Sequence, residues 1–167
     1  FVAVAVTVLW FEILSPLVLA AALLVGGGIG AWLAVTVETT EMPQLVGLFN
    51  GFGGGASALV AGAELVDLTA SGGGLPIGVT VTAAIAGLIG SVTFWGSLVA
   101  AGKLHGLVGD SPVSTNAGHG IKIVTLLLAL AGGGTLVVQP GLVGGGLAEI
   151  VPSYWVLVVA ASVLGVF

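Results

Sequence analysis

The sequence predicts an all-α fold: a polytopic transmembrane helix bundle with about six helices. Three observations carry that prediction. The chain is 57% hydrophobic and 5% charged, with a mean hydropathy of +1.28, against about 25% charged residues in an ordinary soluble domain. Its uncharged runs approach the ~20 residues that cross a bilayer core at about 1.5 Å per residue. Its ionisable residues Glu12, Glu38, Glu41, Glu64, Asp67, Lys103, Asp110, Lys122 and Glu149 fall at or near the ends of those runs, none at a centre.

The rest of the composition narrows the function classes. Seven acids against two lysines give a net charge of -5, and there is no Arg. That argues against nucleic acid and against a polybasic membrane-surface patch. Without Cys there is no disulfide or thiolate chemistry. Thirty glycines, several inside apolar spans, suggest closely packed helices.

Residues 1–14 are apolar but too short to span with Glu12 among them, and read as the end of a helix in a longer polypeptide. They lack the basic region and cleavage-type sequence of a signal peptide. Ser15 and Pro16 make a helix start, and 16–37 is a full span. Gly26 and Gly30 form a GxxxG pair inside it, a site for close helix approach, and Trp32 suits an interface. Glu38 and Glu41 precede Pro43, which opens the span 43–66. Residues 67–76 are turn-rich and end in Pro76; 77–102 is the next span, in which Gly90, Thr93 and Ser97 share a face. A polar loop, 103–119, leads to the span 120–138. A Gly-rich loop, 139–151, leads to a helix over 152–167, with Tyr154 and Trp155 as an interfacial pair. Lys103 and Lys122 flank the 103–119 loop, which places it, with 38–42, on the cytoplasmic side.

The span 43–66 carries the candidate site. At helical spacing Gly47, Asn50, Gly54, Ser57, Ala61 and Glu64 fall on one face. Asn50, Ser57 and Glu64 are seven apart, about 10 Å along the axis. Lipid cannot satisfy such a stripe, so protein or water must face it. Each residue has two readings. Asn50 either lines a water or proton path or makes an interhelical packing bond. Glu64 either admits protons or reaches for the headgroups. Thr93 and Ser97 either line the path or bond back to their own helix. Glu38 and Glu41 either favour a helix dipole or dock a soluble partner. His105 and His119 have no third ligand at metal-binding spacing, so no metal site is expected. No glycine triplet follows a strand, so there is no dinucleotide fingerprint, and no nucleophile–base pair stands out. From the residues alone, a proton path, a non-catalytic transporter or channel subunit, and a membrane anchor with a packed polar face all remain open.

Two blocks carry a resemblance. Residues 41–54 (EMPQLVGLFNGFGG), after Val37 to Thr40, and residues 90–104 (GSVTFWGSLVAAGKL) are similar to the membrane domain of the β subunit of proton-translocating NAD(P) transhydrogenase. The resemblance extends over essentially the whole chain, and the two blocks are its specific part. It implies a membrane domain that couples proton movement to hydride transfer between NAD(H) and NADP(H). The hydride-transfer site, and both nucleotides, would belong to soluble domains outside this chain, with no catalytic residue or cofactor within it. Implied partners are an α-type subunit or helices, the NADP(H)-binding domain, membrane lipid and a second protomer in a homodimer; the implied location is the bacterial cytoplasmic (inner) membrane. The chain would stop before the last β-type helices. On this reading Asn50, Ser57, Glu64, Thr93 and Ser97 belong to the proton path. Gly26, Gly30, Gly47, Gly51, Gly54 and Gly90 pack helices, and Glu38, Glu41 and Lys103 couple to the soluble domain. Many family members carry His at the position of Asn50. Asn cannot titrate, so either the titrating group sits on another helix, with Asn50 lining the path beside it, or this position only orders water; the first reading is preferred.

Overall fold

A computed structural model describes residues 2, 6, 15–72, 75–109, 116–142 and 150–167. Among them are five helices and no strand: α1 (Pro16–Thr36), α2 (Met42–Ala70), α3 (Ile77–Leu104), α4 (Asn116–Leu142) and α5 (Ile150–Val166). The expected partial helix over 1–14 lies outside the described residues, except for Val2 and Val6, which are helical. Four of the five are long and apolar enough to cross a membrane, and α5 is a shorter apolar helix. The chain is an integral membrane protein whose described elements are all helices.

Packing divides the chain into two units, Phe1–Met42 and Pro43–Phe167. The first holds α1. The Ser15 hydroxyl accepts from the Val18 N–H at 3.4 Å, and Pro16 occupies the first turn, where its missing N–H costs no bond. A methyl group on Gly26, Gly27, Gly28 or Gly30 would meet nothing within 4 Å among the described residues. The connection after α1 turns through Glu41 N–H to the Glu38 carbonyl at 2.9 Å, with both carboxylates exposed.

The second unit is turned inside out relative to a soluble domain. Its buried residues are mostly small: Ala58, Ala83, Ala84, Ala129, Ala160 and Ala161. Large apolar residues such as Val46, Leu59, Ile89, Leu127 and Val159 face outward. Helices in lipid gain nothing by hiding leucine from hydrocarbon; they associate where small residues let backbones approach. The closest approach joins α2 to α3. A methyl on Gly54 would lie 2.7 Å from the Gly90 carbonyl oxygen, and one on Gly90 2.5 Å from that of Gly54. The two helices run antiparallel, with Gly51 meeting Phe94 and Ser97, and Gly47 meeting Ala101. Helix α5 lies along α3 through Gly165 and Val92, and against α4 through Leu157 and Gly132. One buried cluster, containing Leu65, Ala83, Leu136, Tyr154 and Leu157, joins the four helices.

Helix ends depart from the predicted spans for local reasons. Helix α2 runs to Ala70 because the hydroxyls of Thr69 and Ser71 donate to the Val66 and Leu68 carbonyls and the Ser71 N–H to Asp67, all at 3.0 Å or less. Gly72, at φ +67°, then ends it. Helix α3 ends in the same way at Gly106, φ +76°, with Leu107 N–H bonded to the Gly102 carbonyl at 2.9 Å.

The two backbone contacts give a prediction. Gly54→Ala is expected to lower stability by about 1–3 kcal/mol, since neither helix can move aside without breaking the interface. Gly53→Ala, whose methyl meets nothing within 4 Å, is expected to be neutral or stabilising by up to about 1 kcal/mol. Thermal unfolding in detergent compares them.

Candidate functional site

The polar face of α2 lines an open groove against α3. One half, about 590 Å³, is walled by residues including Asn50, Gly54, Ser57, Thr82, Gly90 and Thr93. The other half, about 510 Å³, runs on past Ser57, Ala61, Val79 and Ala83 to Glu64. Ser57, Thr82 and Ala86 belong to both halves, so the two adjoin along the face that runs from Asn50 to Glu64. Fourteen helical residues separate those two, about 21 Å along the axis.

Three of the five path candidates, Asn50, Ser57 and Ser97, make hydrogen bonds, and the other two, Glu64 and Thr93, line the groove. The Asn50 amide donates to the Ser97 hydroxyl at 2.9 Å, across the two helices. The Gly51 and Gly47 contacts let α3 come near enough for that bond. Asn50 is exposed to the groove, although its depth in the span suggests burial. Among the described residues only α2 and α3 wall this side. The Ser57 hydroxyl donates to the Gly53 carbonyl at 3.0 Å and keeps its lone pairs for an incoming donor. Glu64 is exposed at the far end, and Thr93 lines the Asn50 half opposite it. The other hydroxyls mostly bond back within their own helices: Thr80 to Ile77, Thr82 to Gly78, Thr125 to Ile121 and Ser162 to Val158.

A junction that sequence reasoning missed closes the Asn50 end. Gln44 donates from Nε2 to the Leu104 carbonyl at 3.0 Å, and its Oε1 meets His105 Nδ1 at 2.8 Å. Because the amide nitrogen is already the donor to Leu104, Oε1 is the acceptor and the His105 proton sits on Nδ1. The bridge ties the first turn of α2 to the end of α3, beside the exposed Lys103 in the last turn of α3, where a cation favours the carbonyl end. A lone amide in the first turn of an apolar span was the available signal. Tyr154, one of the expected interfacial pair, is 1% exposed within the bundle. Its hydroxyl donates to the Ala58 carbonyl, because two glycines leave room for the ring between α2 and α3. Trp155 remains 40% exposed. On a separate face, a cavity of about 400 Å³ between α2, α3 and α5 is lined by Phe52, Phe94 and Trp95; it includes Ser91, whose buried hydroxyl has no partner among the described residues.

The comparisons with known proteins agree with one another. The family described as NAD(P) transhydrogenase beta subunit matches residues 1–167. A protein named NAD(P) transhydrogenase subunit beta from Rhodospirillum rubrum is 37% identical over 102 residues, 59% of this chain and 22% of that protein. A second protein of that name from a strain of the same species matches to the same extent. The match thus spans about a fifth of the length of these curated relatives.

The Asn50–Ser97 bond is testable as a pair. A double-mutant cycle of Asn50→Ala and Ser97→Ala on unfolding in detergent is expected to give a coupling energy of about 0.6–1.7 kcal/mol, the range for hydrogen bonds between membrane helices. Strict additivity would show that the two side chains do not bond.

Proposed function

Because the chain belongs to the NAD(P) transhydrogenase beta subunit family, we propose that its α2–α3 groove is part of the path by which that enzyme moves protons across the membrane. The observation that carries this reading is the pair of adjoining cavities along Asn50, Ser57 and Glu64, on a face that lipid cannot satisfy. A proton path needs groups that order water and at least one that titrates. Asn50 and Ser97 form the ordering pair, Ser57 and Thr93 offer hydroxyls along the walls, and Glu64 is the carboxylate at the far mouth. Asn50 keeps a carbonyl oxygen and a second N–H beyond the bond to Ser97. It can therefore hold water on either side of a neighbour's titrating group without carrying the proton itself.

Hydride transfer between NAD(H) and NADP(H) is proposed to take place in soluble domains outside this chain. The glycine triplets 26–28, 53–55 and 132–134 lie inside helices, where their N–H groups are taken up by helical bonds and cannot cradle a pyrophosphate. The chain would then act as the membrane half of the oxidoreductase. The proposed partners are an α-type subunit or its helices, the NADP(H)-binding domain, lipid and a second protomer. Glu38, Glu41 and Lys103, exposed at helix ends, are proposed as contacts for the soluble domain. The bacterial inner membrane is the proposed location, the named relatives being bacterial. Family membership favours this reading over a transporter subunit or an anchor.

The test uses the complete complex in sealed vesicles, following NADPH-driven reduction of an NAD analogue together with internal pH. Asn50→Leu is expected to leave assembly intact and to lower coupled proton movement at least about tenfold, the factor that about 1.4 kcal/mol on a barrier produces. Unchanged pumping would remove the groove from the path.

A further inference from the structure

The two halves of the groove are gauged by different contacts. At the Asn50 half the walls touch directly, Gly54 backbone on Gly90 backbone. Toward Glu64 an aromatic ring comes between them. Tyr154 enters from the start of α5, and a methyl on Gly62 of α2 would lie 2.9 Å from one edge of its ring. One on Gly87 of α3 would lie 2.6 Å from the opposite edge. The hydroxyl donates to the Ala58 carbonyl, one residue from Ser57, where the halves join. A buried phenol needs such a partner, and inside a bundle that excludes water a backbone carbonyl is the available one. Behind the ring, Ala61, Val79 and Ala83 serve both as neighbours of the Tyr154 cluster and as wall of the Glu64 half. None of the residues walling the Asn50 half belongs to that cluster.

We propose that Tyr154 is a positioning residue of the groove: its ring sets the spacing of α2 and α3 along the Glu64 half, and its hydroxyl holds α2 in place at Ala58. This role rests on the groove being the proton path. It separates two functions in one side chain. Tyr154→Phe keeps the spacer and releases the hold. The Ala58 carbonyl then retains its helical partner, so no buried group is orphaned and the variant folds. Tyr154→Leu removes the spacer as well.

The chain has no cysteine, so a single thiol placed in it can report on each half within the complete transhydrogenase in sealed vesicles, once any cysteines of the other segments and subunits are replaced. Ala61→Cys stands on the Glu64 half and Ile89→Cys on the Asn50 half. Labelling by a small charged thiosulfonate measures access to each. In assembled complexes Tyr154→Phe is expected to change the labelling rate at Ala61→Cys about fivefold, the factor expected for one lost hydrogen bond. Ile89→Cys should stay within about twofold, and coupled proton movement per complex should fall about fivefold. Tyr154→Leu should exceed both effects; if it fails to assemble, the Phe variant decides alone. Unchanged labelling at Ala61→Cys overturns the proposal, as does an equal change at both reporters, which is general loosening, or normal pumping in Tyr154→Phe. Asn50→Leu, run alongside, tests the path itself. Normal pumping in that variant sinks the path, while the labelling still reports whether Tyr154 spaces the helices.

Discussion

The contact of Gly54 with Gly90 is the constraint on which the second unit depends. Two helix backbones meet there with no side chain between them, and a methyl on either residue would clash with the other's carbonyl oxygen, 2.5–2.7 Å away. In water such an interface would be weak, since it buries little apolar area. In hydrocarbon the comparison changes. Leucine is as well placed against lipid as against protein, so helices associate through close van der Waals contact and a few hydrogen bonds. The same approach that needs glycine brings Asn50 within reach of Ser97. Polar pairing and glycine packing are thus one feature seen from two sides.

That closeness also sets the character of the groove. Most of its hydroxyls are satisfied by their own helices, as Ser57 and Thr82 are, and so they line it without demanding a partner. Asn50 is different, because one bond to Ser97 leaves most of its amide capacity unused. A half-satisfied amide at the edge of an apolar bundle is costly unless water or another helix completes it. The proposed proton path would give a reason to keep such a residue, since it needs ordered water and protein oxygen where lipid would otherwise be.

Away from the crossing, shape is held by aromatic rather than by backbone contact. The Tyr154 ring lies between α2 and α3 at Gly62 and Gly87, and packs edge-to-face on Trp155 with ring centroids 5.6 Å apart. At the opposite end the Gln44 amide joins the two helices to the His105 ring. The groove is therefore bounded along its length by an amide bridge, a glycine crossing and a tyrosine spacer, each drawn from a different kind of interaction.

The sequence by itself determined the class of structure, the places of the spans and the stripe of Asn50, Ser57 and Glu64. Bilayer thickness imposes the first two, and the helical repeat imposes the third, so all are readable in one dimension. Helix ends were less legible, because hydroxyls such as those of Thr69 and Ser71 can extend a helix through residues that look like a turn. Only the tertiary structure decided which glycines meet a neighbour within this chain. Gly26 and Gly30 have the same spacing signature as a packing pair yet meet nothing within 4 Å among the described residues, while Gly54 and Gly90 meet backbone. Likewise Tyr154 carries the composition of an interfacial aromatic but sits buried on the Ala58 carbonyl, and Gln44 finds a partner 61 residues away. The physical reason is common to all three: a close contact belongs to two surfaces, and a sequence read along one helix does not say which residues of another will stand opposite.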